Sequence, residues 1–330
     1  MTAETRPIRW GILATGAIAA DFTEDLALIP DAEVFAVASR SQASADAFAA
    51  RYGIPHAYGS WEAMAADPRI DVVYVATPHS AHHDAAALCL DAGRAVLCEK
   101  PVTMDAAEAR ALVDLAGKRG VFLMEAMWMR CNPAIRKVVS LVADGVLGRL
   151  RTVQADFGIA GPFEPSHRLR DPALGGGALL DLGVYPVSLA HLLLGVPDQV
   201  RAWSALTPEG VDANTGLLLG YGQGGLDDGA LAALSCGIVA ETPCRATIVG
   251  ELGRIELPAV FFRPDHFTLF RGDDAERFEV PYTGKGFVHE AEEVMRCLRA
   301  GLTESPLMPW RASIEVMEIL DEARRAASVS

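Results

Sequence analysis

Lys100 and Tyr185 are the side chains in this sequence best suited to moving a proton. A tyrosine with its ordinary pKa of about 10 is a poor base at neutral pH. A lysine ammonium within about 4 to 6 Å favours the phenolate, because an opposite charge at that range lowers a pKa by roughly 1 to 3. Together the pair could take the hydroxyl proton of an alcohol while hydride leaves the carbinol carbon for a nicotinamide. Asp181 precedes Tyr185 by one helical turn in Gly175-Gly176-Gly177-Ala178-Leu179-Leu180-Asp181-Leu182-Gly183-Val184-Tyr185, so both project from one helix face, where Asp181 would position substrate. Each group also has a blander reading: a surface ion pair for Glu99 and Lys100, and a buried tyrosine bonded to an aspartate for the helix. The glycine run, which permits close backbone approach where the helix begins, tips the second case toward chemistry.

These residues need a scaffold, and the chain spells one out. Residues 8–13, 34–38, 72–76, 95–98 and 121–124 read as strands, alternating with helical stretches at 17–28, 41–52, 80–92 and 105–118. That order predicts an α/β Rossmann domain with a doubly wound parallel sheet over residues 1–125. The strand at 95–98 delivers Glu99-Lys100-Pro101 at its C-terminal end, the edge where open α/β sheets bind ligands, and the proline makes a rigid turn after the lysine. Over residues 126–330 the grammar changes. Helices are expected at 133–143, from the glycine run to about 194, at 287–299 and at 310–326. Strands are expected at 150–157, 200–206, 216–221, 231–239, 245–249, 266–270 and 277–280. This second domain is expected to be α+β, with a large open, mainly antiparallel sheet, and to serve substrate binding and oligomerisation.

The first strand runs into Gly11-Ile12-Leu13-Ala14-Thr15-Gly16-Ala17-Ile18-Ala19, where a dinucleotide site would place its glycine turn and helix N-terminus. Backbone N–H groups and the helix dipole would hold pyrophosphate there, with Gly11, Thr15, Gly16, Ala17 and Ile18 as the contacts. The best alignment reads Ala14-x-Gly16-x-x-Ala19, so the first glycine is missing, and alone the turn also fits an ordinary strand-to-helix junction. After the second strand, NAD-binding domains usually carry an acidic residue, whereas this chain has Ser39-Arg40-Ser41. A guanidinium beside hydroxyls suits a ribose 2′-phosphate, favouring NADP over NAD; a solvated arginine at a helix start is the alternative. Thr77-Pro78-His79 and His82 follow another strand at the same sheet edge and complete the expected cofactor set with Glu99 and Lys100.

The composition narrows the partners. A formal charge of -14 across 330 residues repels a phosphate backbone, and the Lys and Arg residues form no basic stripe, which argues against nucleic acid. Residues 1–7 are polar with no signal-like core, and no run of about 18 uncharged apolar residues suggests a membrane span, so a cytoplasmic protein is expected. The six cysteines are widely spaced, without a C-x-x-C pair or a Cys/His cluster, so no metal site is expected and buried free thiols are. A small molecule is the expected partner.

Glu99-Lys100-Pro101, the Gly176-Gly177-x-x-x-Asp181-x-Gly183-x-Tyr185 stretch and the Gly11-Ile12 turn resemble the glucose-fructose oxidoreductase/inositol dehydrogenase (Gfo/Idh/MocA) family of NAD(P)-dependent enzymes. The resemblance covers essentially the whole chain. Many relatives carry histidine where this sequence has Tyr185, and the tyrosine is similar to the branch that oxidises trans-dihydrodiols and D-xylose. Stretches such as Arg9-Trp10-Gly11-Ile12, Ala57-Tyr58-Gly59-Ser60 and 122–128 resemble that branch too. The resemblance implies that Lys100, Asp181 and Tyr185 are catalytic. It also implies that His82, Trp128 and Phe157 line the substrate pocket, and that the protein is a homodimer. A keto-sugar or anhydro-sugar reductase and a dinucleotide-binding regulator without turnover are the competing readings.

Overall fold

A computed structural model describes residues 6–222 and 229–328, so most of the polar 1–7 stretch lies outside the described residues. The chain divides into two compact units. The first comprises Met1–Thr103, Ala107–Trp128 and Thr283–Ser313; the second comprises Met104–Ala106, Met129–Tyr282 and Ile314–Ser330. The units are therefore discontinuous, whereas the sequence reading drew one boundary near residue 125.

The elements of the first unit alternate: β1 (Ile8–Leu13), α1 (Ala17–Leu26), β2 (Ala32–Ala38), α2 (Gln42–Tyr52), β3 (His56–Tyr58), α3 (Trp61–Ala65), β4 (Val72–Val75), α4 (His82–Asp91), β5 (Ala95–Glu99), α5 (Ala106–Arg119) and β6 (Leu123–Ala126). All six strands pair in parallel, in the order β3-β2-β1-β4-β5-β6. That is the doubly wound order in which the chain reverses direction between β1 and β4. The inner strands read as continuous apolar runs because helices cover both sheet faces: Val72 to Val75 and Ala95 to Cys98 are all buried. β3 and α3 were not foreseen, being too short to show a period, and β6 starts two residues later than expected.

The second unit opens with α6 (Pro133–Ala143), whose Asn132 caps the N–H groups of Ala134 and Ile135 at 2.9 and 3.1 Å. β7 (Leu150–Gly158) follows, then a π-helical turn, Leu179–Gly183, that runs directly into α7 (Val184–Leu194). Seven more strands complete the sheet: β8 (Gln199–Leu206), β9 (Asp212–Tyr221), β10 (Ala230–Gly237), β11 (Ala246–Gly250), β12 (Arg254–Leu257), β13 (His266–Arg271) and β14 (Asp274–Glu279). Their order is β14-β13-β12-β11-β7-β10-β9-β8, antiparallel except between β7 and β10. Alternation along β9 buries Leu217 and Leu219 and exposes Leu218. The run Pro172–Leu194 holds an 18-residue window apolar enough to cross a membrane by length and composition, but 83% of that window is buried inside the protein, as for a core helix.

The last two helices are α8 (Val288–Arg299) and α9 (Trp310–Ser328). Chain order would give α8 to the second domain, yet it packs in the first unit. The Asp25 carboxylate of α1 accepts the N–H groups of Lys285 at 2.7 Å and Phe287 at 2.8 Å, and the Phe287 ring meets Phe22 edge-on. The six cysteines are free, and all but Cys244 are buried.

Candidate active site

In the first unit the residues of interest gather at the C-terminal ends of β1, β2, β4 and β5. Thr15 and Ile18 are half-buried, while Gly16 and Ala17 are exposed where α1 begins. Gly16 is the N-cap, no side chain caps the helix, its first turn holds no acid, and a Cβ at Gly16 would meet nothing within 4 Å. Its first N–H groups therefore face an open, positive helix end. Arg40 is exposed after β2, next to Ser41, the N-cap of α2, whose side chain makes no capping bond. Thr77 is 6% exposed after β4, and its hydroxyl oxygen has no hydrogen-bond partner among the described residues; Pro78 is exposed and His79 half-buried beside it. An uncapped helix end, an exposed guanidinium by a second helix start and an orphaned hydroxyl at the sheet edge fit the pyrophosphate, phosphate and ribose groups of a dinucleotide.

Three expected cofactor residues are committed elsewhere. Gly11 is buried inside β1, where a side chain would press on Met64 and Ile70, so it serves packing between strand and helix. His82 has no exposed surface: Nδ1 lies 2.7 Å from the Pro101 carbonyl and Nε2 2.9 Å from the Thr77 carbonyl. Burial, reinforced by His79, pushes its pKa down to about 3, so the ring is neutral and donates to one carbonyl at a time. It ties the end of β4 to the turn after β5. Glu99 is 6% exposed; its carboxylate accepts the Tyr74 hydroxyl and, at 3.1 Å, the Lys100 N–H. Burial pushes the Glu99 pKa up, while the Lys100 charge and the Tyr74 hydroxyl pull it back. Lys100 itself is half-buried, and its peptide bond to Pro101 is cis. Trp128 belongs to this unit, 8% exposed and stacked on Phe287 with centroids 4.5 Å apart.

The second unit supplies the tyrosine. Tyr185 is 5% exposed on the first turn of α7, its ring stacked on Phe262 at 4.4 Å and tilted against Phe157 at 5.8 Å. Phe157 comes from the end of β7, is half-buried, and packs on Phe262 at 4.8 Å. Asp181 lies in the π-helical turn and forms an ion pair with Arg168 at 3.0 Å; the aspartate side chain is 5% exposed, the arginine 53%. The π turn is fixed from outside, since the Leu179 N–H donates to Asp212 of β9 at 2.7 Å. Burial pushes the Asp212 pKa up to about 6, against the hydrogen bonds from Leu179 and Thr215. The structure thus brings Tyr185, Phe157 and the helix start of Asp181 together within one unit.

Comparison with known proteins gives the family. Residues 8–127 match an oxidoreductase family with an NAD-binding Rossmann fold, and residues 135–256 match the GFO/IDH/MocA C-terminal domain. The chain belongs to the GFO/IDH/MocA family. A trans-1,2-dihydrobenzene-1,2-diol dehydrogenase of Mus musculus is 39% identical over 337 residues, with 98% of each chain covered. The corresponding Homo sapiens dehydrogenase is 38% identical over 336 residues, again with 98% of each covered. Among solved structures, a 3-ketoreductase from Actinomadura kijaniata in complex with NADP and TDP-benzene superposes with a TM-score of 0.86 at 30% identity, covering 97% of this chain and 98% of that one.

As a GFO/IDH/MocA oxidoreductase, the chain binds a nicotinamide dinucleotide through its first unit. Sequence reasoning missed four residues: Phe287 in the first unit, and Phe262, Arg168 and Asp212 in the second. Phe262 and Phe287 follow no motif. Arg168 sits in a loop whose course no spacing predicts. Asp212 had one available signal, a glycine at 177 that must make room for something.

Proposed function

We propose that the protein is an NADP-dependent dehydrogenase acting on the CH–OH group of a trans-dihydrodiol, cyclic polyol or aldose. When bound, the cofactor would accept hydride from the carbinol carbon. Tyr185, as the phenolate, takes the hydroxyl proton, so the substrate loses one hydride and one proton and becomes the carbonyl compound. Lys100 stabilises that phenolate and orients the substrate hydroxyl, and Asp181 positions the substrate. Arg40 and Ser39 receive the 2′-phosphate. Trp128 and Phe157 offer faces for an unsaturated or sugar ring.

The observation that carries the reading is the setting of Tyr185, a nearly buried phenol walled by Phe157 and Phe262. Apolar walls keep water from the proton transfer and suit the flat face of a cyclic diol. Similarity along the full length to dihydrodiol dehydrogenases supports the substrate class. The Actinomadura kijaniata 3-ketoreductase favours a second reading, reduction of a keto-sugar by the same groups in reverse. That enzyme has also been crystallised with a tyrosine replaced by phenylalanine and with a lysine replaced by alanine, the two residue types invoked here. We also propose a homodimer through the open face of β8, β9 and β10, where Trp203, Leu218 and Leu231 are 58%, 49% and 38% exposed.

Initial rates of NADP reduction with a trans-dihydrodiol, D-xylose and D-glucose, and of NADPH oxidation with keto-sugars, test the substrate class and direction. Tyr185→Phe should lower kcat by at least about 100-fold while NADP affinity stays within about threefold. Near-wild-type turnover in that variant would remove Tyr185 from the acid/base role, and NADP binding without turnover on either panel would favour the regulator. Arg40→Asp should weaken NADP at least about tenfold more than NAD. Sedimentation of a monomer at micromolar concentration would sink the dimer.

A further inference from the structure

The first unit buries a carboxyl group that the proposed reaction leaves unused. Glu290, on α8, has no exposed surface, and neither of its carboxyl oxygens has a hydrogen-bond partner among the described residues. A buried acid without a hydrogen-bond partner is costly unless it is neutral.

Its surroundings follow from the sheet. Trp10 and Ile12 of β1, Val72 and Tyr74 of β4, and Ala95, Leu97 and Glu99 of β5 share one face by register and alternation. α1 covers that face through Phe22, whose ring lies against Trp10 and stacks on Tyr74, and α8 packs beside α1. The charged groups acting on Glu290 are Glu99 from the sheet and Asp25 from α1, both acidic. Lys100 and His79 act on Glu99 instead. Glu99 also receives the Tyr74 hydroxyl and the Lys100 N–H, contacts that favour a carboxylate, while Glu290 receives none. Two carboxyls in one apolar interior do not both ionise readily, and the proton goes to the one with fewer donors.

We propose that Glu290 is held as a neutral carboxylic acid, so that Glu99 carries the negative charge of this pair beside Lys100, and that Glu290 is thereby a positioning residue for the Lys100 ammonium. The role in catalysis rests on the reading of Lys100 given above; the protonation state and the coupling to Glu99 do not. Burial together with its two acidic neighbours pushes the Glu290 pKa well above the usual carboxylate range.

Infrared spectroscopy of the full-length protein in D2O reads the protonated carboxyl directly. At neutral pH the wild type should show a buried carboxylic-acid carbonyl band that Glu290→Gln, a neutral replacement of nearly equal shape, removes. A wild type without a band that this variant removes overturns the proposal. The band should titrate away at alkaline pH, and Glu99→Gln, which deletes the neighbouring anion, should move that midpoint down by at least about 1 pH unit. An unmoved midpoint in a folded Glu99→Gln protein breaks the coupling. In turnover, Glu290→Gln should shift the alkaline limb of the kcat/KM profile, a readout that simple loss of packing would not move. A band and midpoint as expected in a protein without dehydrogenase activity would leave the acid pair standing and overturn the Lys100 reading alone.

Discussion

Two helices in this protein begin beside glycine-rich turns, one in each unit, and they are finished in opposite ways. α1 starts at Gly16 with no capping side chain, no acid in its first turn and open space around it. The helical run that carries Tyr185 starts against Asp212, whose carboxylate accepts the Leu179 N–H at 2.7 Å and a bond from the Thr215 hydroxyl at 3.0 Å. Gly177 makes this possible: its φ is +118°, and a Cβ there would collide with Asp212 Oδ1. One helix end is neutralised by the protein itself and becomes rigid scaffolding for Tyr185. The other is left bare, and its unsatisfied N–H groups remain available to a phosphate. Similar local chemistry thus separates a capped helix from an open one by whether the chain supplies its own anion.

The sharpest way to break that comparison is to give α1 the anion it lacks. Gly16 has the extended φ and ψ of an N-cap, -77° and -179°, which aspartate adopts readily. Gly16→Asp should therefore fold, with a Tm equal to or slightly above wild type. A carboxylate where pyrophosphate should sit costs several kcal/mol for a like-charge clash, so NADP affinity should fall about 100-fold or more, measured by titration calorimetry. NADP binding within threefold of wild type would mean that the bare helix end is not the anion site.

A smaller effect tests the closed helix. The Asp212 pKa is raised from 3.8 to about 6, so the folded state binds its proton more tightly than the unfolded chain does. The stability this contributes is fully present below about pH 4 and is lost as pH rises through about 6. Asp212→Asn keeps an acceptor for the Leu179 N–H but removes the titration. The Tm of the variant minus that of the wild type should therefore rise by a few degrees between these two pH values, followed by differential scanning fluorimetry. A constant difference across that window would show that folding does not raise the Asp212 pKa.

How much of this was legible beforehand differs between the units. Strands β1, β2, β4 and β5 announced themselves because the buried stretch of an inner parallel strand is apolar, and the chain supplies such stretches at intervals, with Arg9 and Glu33 only at the half-buried starts of β1 and β2. Tyr185 and Lys100, which the proposed reaction uses, stand out only through their motifs. The placement of α8 in the first unit was not, because Asp25 gripping the N–H groups of Lys285 and Phe287 is a tertiary event with no local signal. Glu290 was hidden for a related reason: in Val288-His289-Glu290-Ala291-Glu292-Glu293, three acids look alike until the packing buries one completely. His82 misled in the other direction. Its type and position near the sheet edge suggested ligand contact, whereas the ring is consumed by the Thr77 and Pro101 carbonyls.

The smallest predicted effect lies at the residue that made the glycine turn look degenerate. Ala14 occupies the place of the missing first glycine, yet its backbone has φ +101°, the conformation that glycine adopts freely and alanine does not. Its N–H still reaches the Ala38 carbonyl at 2.9 Å, so the turn keeps its form and the strain stays in the alanine. Such strain amounts to about 1–3 kcal/mol, and replacing alanine by glycine returns about 0.5–1 kcal/mol of it to the entropy of the unfolded chain. Ala14→Gly should therefore stabilise the protein by about 1 kcal/mol, a rise of roughly 2 °C in Tm, with NADP affinity retained. A fall in Tm would mean that the turn is relaxed with alanine in place. The open start of α1 would then owe its shape to Gly16 and the helix alone, and the comparison with the Gly177 turn would narrow to capping.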